Sequence, residues 1–321
     1  MNNTYSQIIE ASEDVDQIFD RITEKELLNF VLNFTVPLNH ARSKSITHYK
    51  LEVKNIDINL FTSALVILDK GVSGTFVKDF LTSALSVIAI GSNESTYKEK
   101  NYFDINILNK LPTSSINKII AVGGGLTLNV SAYLASRLNA ELILVPTSLI
   151  SMADGSGGKV RMNKIDESGY HKHFYKDFYE PNQIIIDATF LESLSPEQIK
   201  IGLGEIIKHG VFQSESLLKF IGSATFDPVN SRRSLLKAIL WTAALKRICL
   251  EIDPEETPEG SEIILRGAHK HSDMLEESSK FSLPHGLAVA IALYSEVKDK
   301  YPNQFSAVDA IYDKFELPKT Y

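Results

Sequence analysis

The sequence predicts a Rossmann-like α/β domain in the N-terminal half, followed by an all-α domain. Three observations predict it. Short, continuously apolar runs recur between residues 65 and 186, as in parallel strands buried on both faces. Residues 126–138, between two of these runs, are long enough for a crossover helix. After Asp187 the alternation stops and apolar positions follow helical spacing to the end of the chain. The resulting division is a helical arm over 1–45, an α/β domain over 46–187 and a helical domain over 188–321.

In the arm, Val15, Ile18, Phe19, Ile22, Leu27 and Val31 recur at helical spacing. One or two helices, docked on the body or on a partner, are expected there. The first strand run, Leu65-Val66-Ile67-Leu68, ends in Asp69, and the second, 86–90, ends at Gly91. The third, 119–122, meets Gly123; the fourth, 142–145, meets Pro146; and 184–186 meets Asp187. Ligands of an open α/β sheet sit beyond the carboxyl ends of its strands, so these closing residues are the candidates. Helices are then expected over 196–212, 214–222, 229–252, 259–278, 285–300 and 305–315.

The composition narrows the function classes. The chain has 321 residues, 44% hydrophobic and 23% charged, the balance of an ordinary globular protein. Lys and Arg number 33 against 40 Asp and Glu, a net charge of −7. That balance gives no general attraction to nucleic acid or anionic lipid, so neither is expected as a partner. Cys249 is the single cysteine, which excludes an internal disulfide and a thiolate metal cage. No secretory signal is visible at the N-terminus, and apolar stretches such as 287–293 fall short of the ~20 residues that span a bilayer. A cytoplasmic protein acting on a small molecule is expected.

Gly123-Gly124-Gly125 follows a strand and opens a helix. It serves either as a tight βα turn or as a seat for a dinucleotide phosphate on the helix N-terminus. Asp69 is either a turn residue or an acceptor for ribose hydroxyls. Pro146-Thr147-Ser148 leads into Asp154-Gly155-Ser156-Gly157-Gly158-Lys159, a glycine-rich loop with one lysine. It lacks P-loop spacing, and either closes on an anion or is surface loop. In the helical half, Glu205 and Lys208 share a helix face, as do His269 and Asp273, while His271 points elsewhere. His285 follows Pro284 at the start of an apolar helix. One carboxylate and two imidazoles with open positions describe a catalytic divalent-metal site; taken singly, each histidine is more often a surface or satisfied core residue than a ligand.

Together these segments resemble the dehydroquinate synthase-like superfamily of sugar-phosphate cyclases. The resemblance rests on Gly123-Gly124-Gly125, Pro146-Thr147-Ser148-Leu149, Asp154…Gly157-Gly158-Lys159…Asn163, Phe178-Tyr179-Glu180-Pro181 and Ile186-Asp187. Gly202-Leu203-Gly204-Glu205-Ile206-Ile207-Lys208-His209-Gly210 and His285-Gly286-Leu287-Ala288-Val289-Ala290-Ile291 are its most specific parts, and it covers about residues 47–300. It implies Zn²⁺ or Co²⁺ on Glu205, His269 and His285. It implies NAD along Asp69, Gly123, Gly124, Gly125, Asn129, Thr147, Ser148, Asp154 and Lys172. Lys159, Lys208 and Lys246 would face the substrate, with Arg266 and Asp273 as further catalytic positions. The implied reaction is oxidation, phosphate elimination, reduction and intramolecular aldol closure by a carbon–oxygen lyase, in a homodimer.

Some positions depart from the family pattern. Asp273 stands where the family has a second histidine, Glu262 where it has an arginine, and Arg266 where it has an asparagine. Asn129 replaces an aspartate, His173 replaces an asparagine, and the glycine loop is one residue shorter. The sequence ends at Tyr321, before the family's C-terminal lysine-bearing segment. Glu262 and Asp273 in place of cationic groups would repel a carboxylate or phosphate. A neutral polyol or ketose phosphate is therefore expected in place of the shikimate-pathway heptulosonate phosphate, as in relatives that build rings for natural products. The alternatives are an NAD-dependent polyol dehydrogenase on the same fold and a non-catalytic relative.

Overall fold

Runs with no polar face can be satisfied only at the middle of a covered sheet. In the computed structural model, which describes residues 4–37, 46–72, 83–91, 116–155, 158–253 and 255–321, that is where they lie. β3 (Leu65–Asp69), β5 (Lys118–Gly123) and β6 (Glu141–Pro146) are central and almost wholly buried, with β4 (Ser86–Ile90) beyond β3. β9 (Gln183–Ile186) continues the parallel sheet on the other flank, followed by β2 (Ile46–Val53) and, antiparallel at the edge, β1 (Val31–Pro37). The sheet order is β1-β2-β9-β6-β5-β3-β4. β3 is followed by β4 on one side, whereas β5 is followed by β6 on the other. The chain thus reverses its winding between β3 and β5, where open α/β sheets form a crevice. α3 (Gly125–Leu138) is the expected crossover helix, and α4 (Leu149–Asp154) leaves β6 toward the helical half.

That half contains α5 (Pro196–Phe212), α6 (Glu215–Gly222), α7 (Arg232–Ile252), α8 (Glu262–Leu265), α9 (His269–Ser278), α10 (His285–Lys300) and α11 (Pro302–Phe315). α5 begins as its sequence prescribes: Ser195 and Gln198 form a capping box around Pro196.

Three expectations change. The arm is not all helix: α1 (Thr4–Arg21) and α2 (Glu24–Leu27) are, but Val31–Pro37 joins the sheet edge. The spacing that took Val31 into a helix runs into a β-branched, alternating stretch that ends at Pro37, a residue sheets accept at edges. The single helix expected over 259–278 is two helices, broken where Ala268 adopts φ +64°. Lys159 opens a two-stranded ribbon, β7 (Lys159–Asp166) and β8 (Gly169–Phe178), which the sequence reading missed. Residues 38–45 of the arm and Ser156 and Gly157 of the glycine-rich loop lie outside the described residues. Among the described residues no helix is long and apolar enough to cross a membrane.

Candidate active site

A cleft of about 680 Å³ runs from the carboxyl ends of β3, β5 and β6, under the ribbon, to the N-termini of α9 and α10. At its sheet end, Asp69 accepts from the Gly71 N–H at 2.7 Å. Burial pushes its carboxyl up, against the pull of the Gly71 and Gly124 amides. Gly124 caps α3 without a side chain, so the first amides of α3 are open to an anion. Of the residues expected to form the dinucleotide set, Gly124, Gly125, Asn129, Thr147, Ser148 and Asp154 line this end. Gly123 does not line the cleft; a Cβ there would meet Asp69 Cβ and Thr127 Oγ1 at 2.6 Å, so its glycine serves packing.

The ribbon forms a second wall. Asn129 bridges it to α3, donating to Gly125 O at 2.9 Å and accepting from Arg161 N at 2.7 Å. The β7–β8 register shifts between Met162 and Lys164. At this bulge Asn163 accepts from the His173 N–H at 3.0 Å, and His173 takes φ +54°. The irregularity brings Asn163, Lys172 and His173 to the cleft. Burial, reinforced by the charges of Lys172 and Arg161, pushes the His173 imidazole down to about 3 and keeps it neutral. Lys159 pairs with Glu256, and Lys246 with Asp154 at 2.7 Å. Arg161 and Arg266 add two guanidinium groups, and cations outnumber carboxylates along this stretch. Glu262, expected to repel a substrate carboxylate, is not among the residues that line the cleft.

At the far end, Glu205 of α5 meets His269 and His285, the first residues of α9 and α10. Glu205 Oε1 is 3.5 Å from His269 Nε2 and 3.4 Å from His285 Nε2. One ligand atom from each residue lies within 4.8 Å of the others. The α5–α10 crossing that allows this is made of glycine: a Cβ on Gly204 would meet Gly286 O at 2.5 Å, and one on Gly286 would meet Ile201 O at 1.7 Å. The break at Ala268 starts α9 afresh and brings His269 to the same point. His269 Nδ1 is held by Gly267 O at 3.1 Å and His285 Nδ1 by Glu276 Oε1 at 2.7 Å, so both Nε2 atoms face the carboxylate.

The residues fit a metal ion. Tetrahedral ligands bonded at about 2.1 Å stand about 3.4 Å apart, which is the spacing from Glu205 Oε1 to each imidazole. Glu205 Oε1 is buried, and apart from the two imidazoles at 3.4–3.5 Å it meets no donor among the described residues, a costly state unless a cation shares it. Burial opposes ionisation of Glu205, but Lys208 and the imidazoles hold its carboxyl well below the usual range. Burial and Lys208 push His269 well down. Burial and Lys172 oppose charge on His285, yet bonds to Glu205 and Glu276 outweigh them and carry it up to about 10.

Two expected roles need correction. Lys208, expected to face the substrate, is 1% exposed, with its Nζ 2.6 Å from Glu205 Oε2 and donating to Leu265 O. Asp273 does not line the cleft either; it lies 3.5 Å from Lys172 and 3.6 Å from Arg266. Lys172 reaches the metal end, pairing with Glu276 and standing 3.2 Å from His285 Nδ1. The sequence reading assigned nothing to Arg161, Glu256 or Glu276. Glu276 had a legible signal, two turns after His269 on the same helix face; Glu256, in a loop, had none.

A reversed parallel sheet, a glycine-opened helix and an acid–imidazole triad on a helical half define a two-domain α/β plus all-α protein with dinucleotide-type and metal-type ends to one cleft. The chain matches the model of the 3-dehydroquinate synthase N-terminal domain over residues 87–201 and that of the C-terminal domain over 202–320. It belongs to the dehydroquinate synthase family. It is 32% identical over 219 residues to a 3-dehydroquinate synthase of Saccharolobus solfataricus, covering 66% of this chain and 60% of that relative. With the 3-dehydroquinate synthase of Pelagibacter ubique it shares 28% over 286 residues, 84% of this chain and 75% of that one. Among solved structures, 2-epi-5-epi-valiolone synthase from Streptomyces hygroscopicus, bound to NAD⁺ and Zn²⁺, shares the fold. It superposes at TM-score 0.73 and 19% identity, over 85% of this chain and 82% of that one.

Proposed function

We propose that this protein is a metal- and NAD-dependent sugar-phosphate cyclase, a lyase that closes a carbocycle with loss of phosphate and no net redox change. The carrying observation is the Glu205–His269–His285 cluster facing the same cleft as the open amides of α3. Relatives named 3-dehydroquinate synthase support the reaction class. In this reading 46–187 is the dinucleotide unit and 188–321 the metal unit. Glu205, His269 and His285 hold Zn²⁺ or Co²⁺, which when bound polarises a substrate oxygen. Asp69, Gly124 and Gly125 would hold NAD, which would supply reversible hydride chemistry.

The chain's own groups do the remaining work. Lys159 and Lys246 stabilise oxyanions, each held in place by a carboxylate. His173, neutral at physiological pH, donates or accepts a hydrogen bond without adding charge. Arg161 and Arg266 attract the phosphate of the substrate. Lys208 acts through Glu205, as its positioning residue. This cationic lining favours a sugar phosphate over the neutral polyol of a simple dehydrogenase.

The test incubates metal-loaded protein and catalytic NAD⁺ with hexose, heptulose and heptulosonate phosphates. Release of inorganic phosphate exceeding the NAD⁺ supplied, with no lasting NADH, is the expected result. Stoichiometric NADH from unphosphorylated polyols, without phosphate release, overturns the reading. Which phosphate turns over decides between the carboxylated and neutral substrates.

A further inference from the structure

Glu276 is wholly buried on α9, seven residues after His269. Its Oε1 sits 2.7 Å from His285 Nδ1, and the Lys172 ammonium reaches the same oxygen. Lys172 Nζ is also 3.2 Å from His285 Nδ1. An ammonium only donates, whereas Nδ1 donates in one tautomer and accepts in the other. Left alone with Lys172, Nδ1 would accept, and the ring proton would move to Nε2, the atom that faces Glu205. With the carboxylate between them, Nδ1–H and the ammonium both donate to Glu276, and Nε2 is the ring atom left for a metal ion. The two imidazoles are therefore held differently: His269 by the Gly267 carbonyl, His285 by a buried carboxylate that also anchors a lysine from the ribbon.

We propose that Glu276 is the positioning residue of the metal centre: it fixes the tautomer and ring orientation of His285 and, through Lys172, ties β8 to the metal-holding helices. The proposal rests on the metal reading above. Partners of this kind around metal-bound histidine tune affinity by about 10–100-fold.

The test strips the protein of metal, then titrates Zn²⁺ and Co²⁺ against a competing chelator and records the visible spectrum of the Co²⁺ form. Glu276→Gln is expected to bind both ions ~10–100-fold more weakly, with altered Co²⁺ bands, and Glu276→Asp to fall between it and the wild type. If Glu276→Gln does not fold, the double variant Glu276→Gln/Lys172→Met, which removes the buried ammonium left with only the longer contact to Asp273, is measured against the same expectation. A variant that melts earlier without metal but binds both ions like the wild type, with unchanged bands, overturns the positioning role and leaves the metal reading standing. A wild-type protein that binds neither ion overturns both.

Discussion

His209 shows how one buried side chain sets a pH limit on the fold. It lies on α5, four residues after Glu205, with Nδ1 donating to Gln213 Oε1 at 2.8 Å. Its Nε2 has no partner among the described residues. Burial, with the Lys208 charge behind it, pushes the imidazole down to about 4 from 6.5. The unfolded chain takes up this proton near pH 6.5 and the folded one only near 4. The stabilisation is therefore whole above pH 6.5 and is lost as pH falls toward 4, by on the order of 3 kcal/mol. Urea unfolding of metal-free protein at pH 7.5 and 4.5 measures it. The wild type is expected to lose about 2–3 kcal/mol more on acidification than His209→Asn, whose amide keeps the bond to Gln213. Equal losses would contradict this account.

Elements were more legible in the sequence than contacts, for a physical reason. α5 carries its own start signal in Ser195, Pro196 and Gln198, and β3 is too apolar to lie anywhere but inside. The ribbon β7–β8 announces itself only weakly: Val160 and Met162 alternate with polar residues, but the run is short and the register shifts just after it. Glu205, His269 and His285 were readable as candidate ligands, but that they meet was implied only by resemblance, because nothing in their spacing encodes the α5–α10 crossing. Glycine makes that crossing, and this yields a paired prediction. Gly286→Ala drives a Cβ into the Ile201 carbonyl at 1.7 Å. It is expected to cost about 3 kcal/mol or more, by pushing α10 off α5, and to abolish Zn²⁺ binding. Gly125→Ala meets nothing within 4 Å and sits in the first turn of α3. It is expected to hold or raise stability by up to about 1 kcal/mol while weakening NAD⁺, whose phosphate would need that space. Thermal melts with Zn²⁺ and NAD⁺ titrations separate the two effects.

At the scale of the whole molecule, the N-terminal segment joins the two halves. β1 closes the edge of the sheet through its pairing with β2. α1 instead packs on α7 in the helical half, burying Ile8, Val15 and Phe19, with Phe19 stacked on Trp241 at 5.5 Å. At the centre of this contact, Asp16 Oδ1 accepts from Trp241 Nε1 at 2.7 Å and from Ser214 Oγ at 2.6 Å. Ser214 also caps α6, and Gln213 beside it reaches Ser12. The segment is therefore part of the core that carries Glu205. Asp16→Ala strands an indole N–H and a hydroxyl and is expected to cost about 2–4 kcal/mol. Asp16→Asn keeps an acceptor oxygen and should cost less. Because the contact lies on the face of α7 away from the cleft, either variant, while folded, should bind Zn²⁺ with the wild-type affinity. A large loss of metal affinity in folded Asp16→Ala, measured by chelator competition, would instead make the N-terminal helix a determinant of the metal centre rather than of the fold alone.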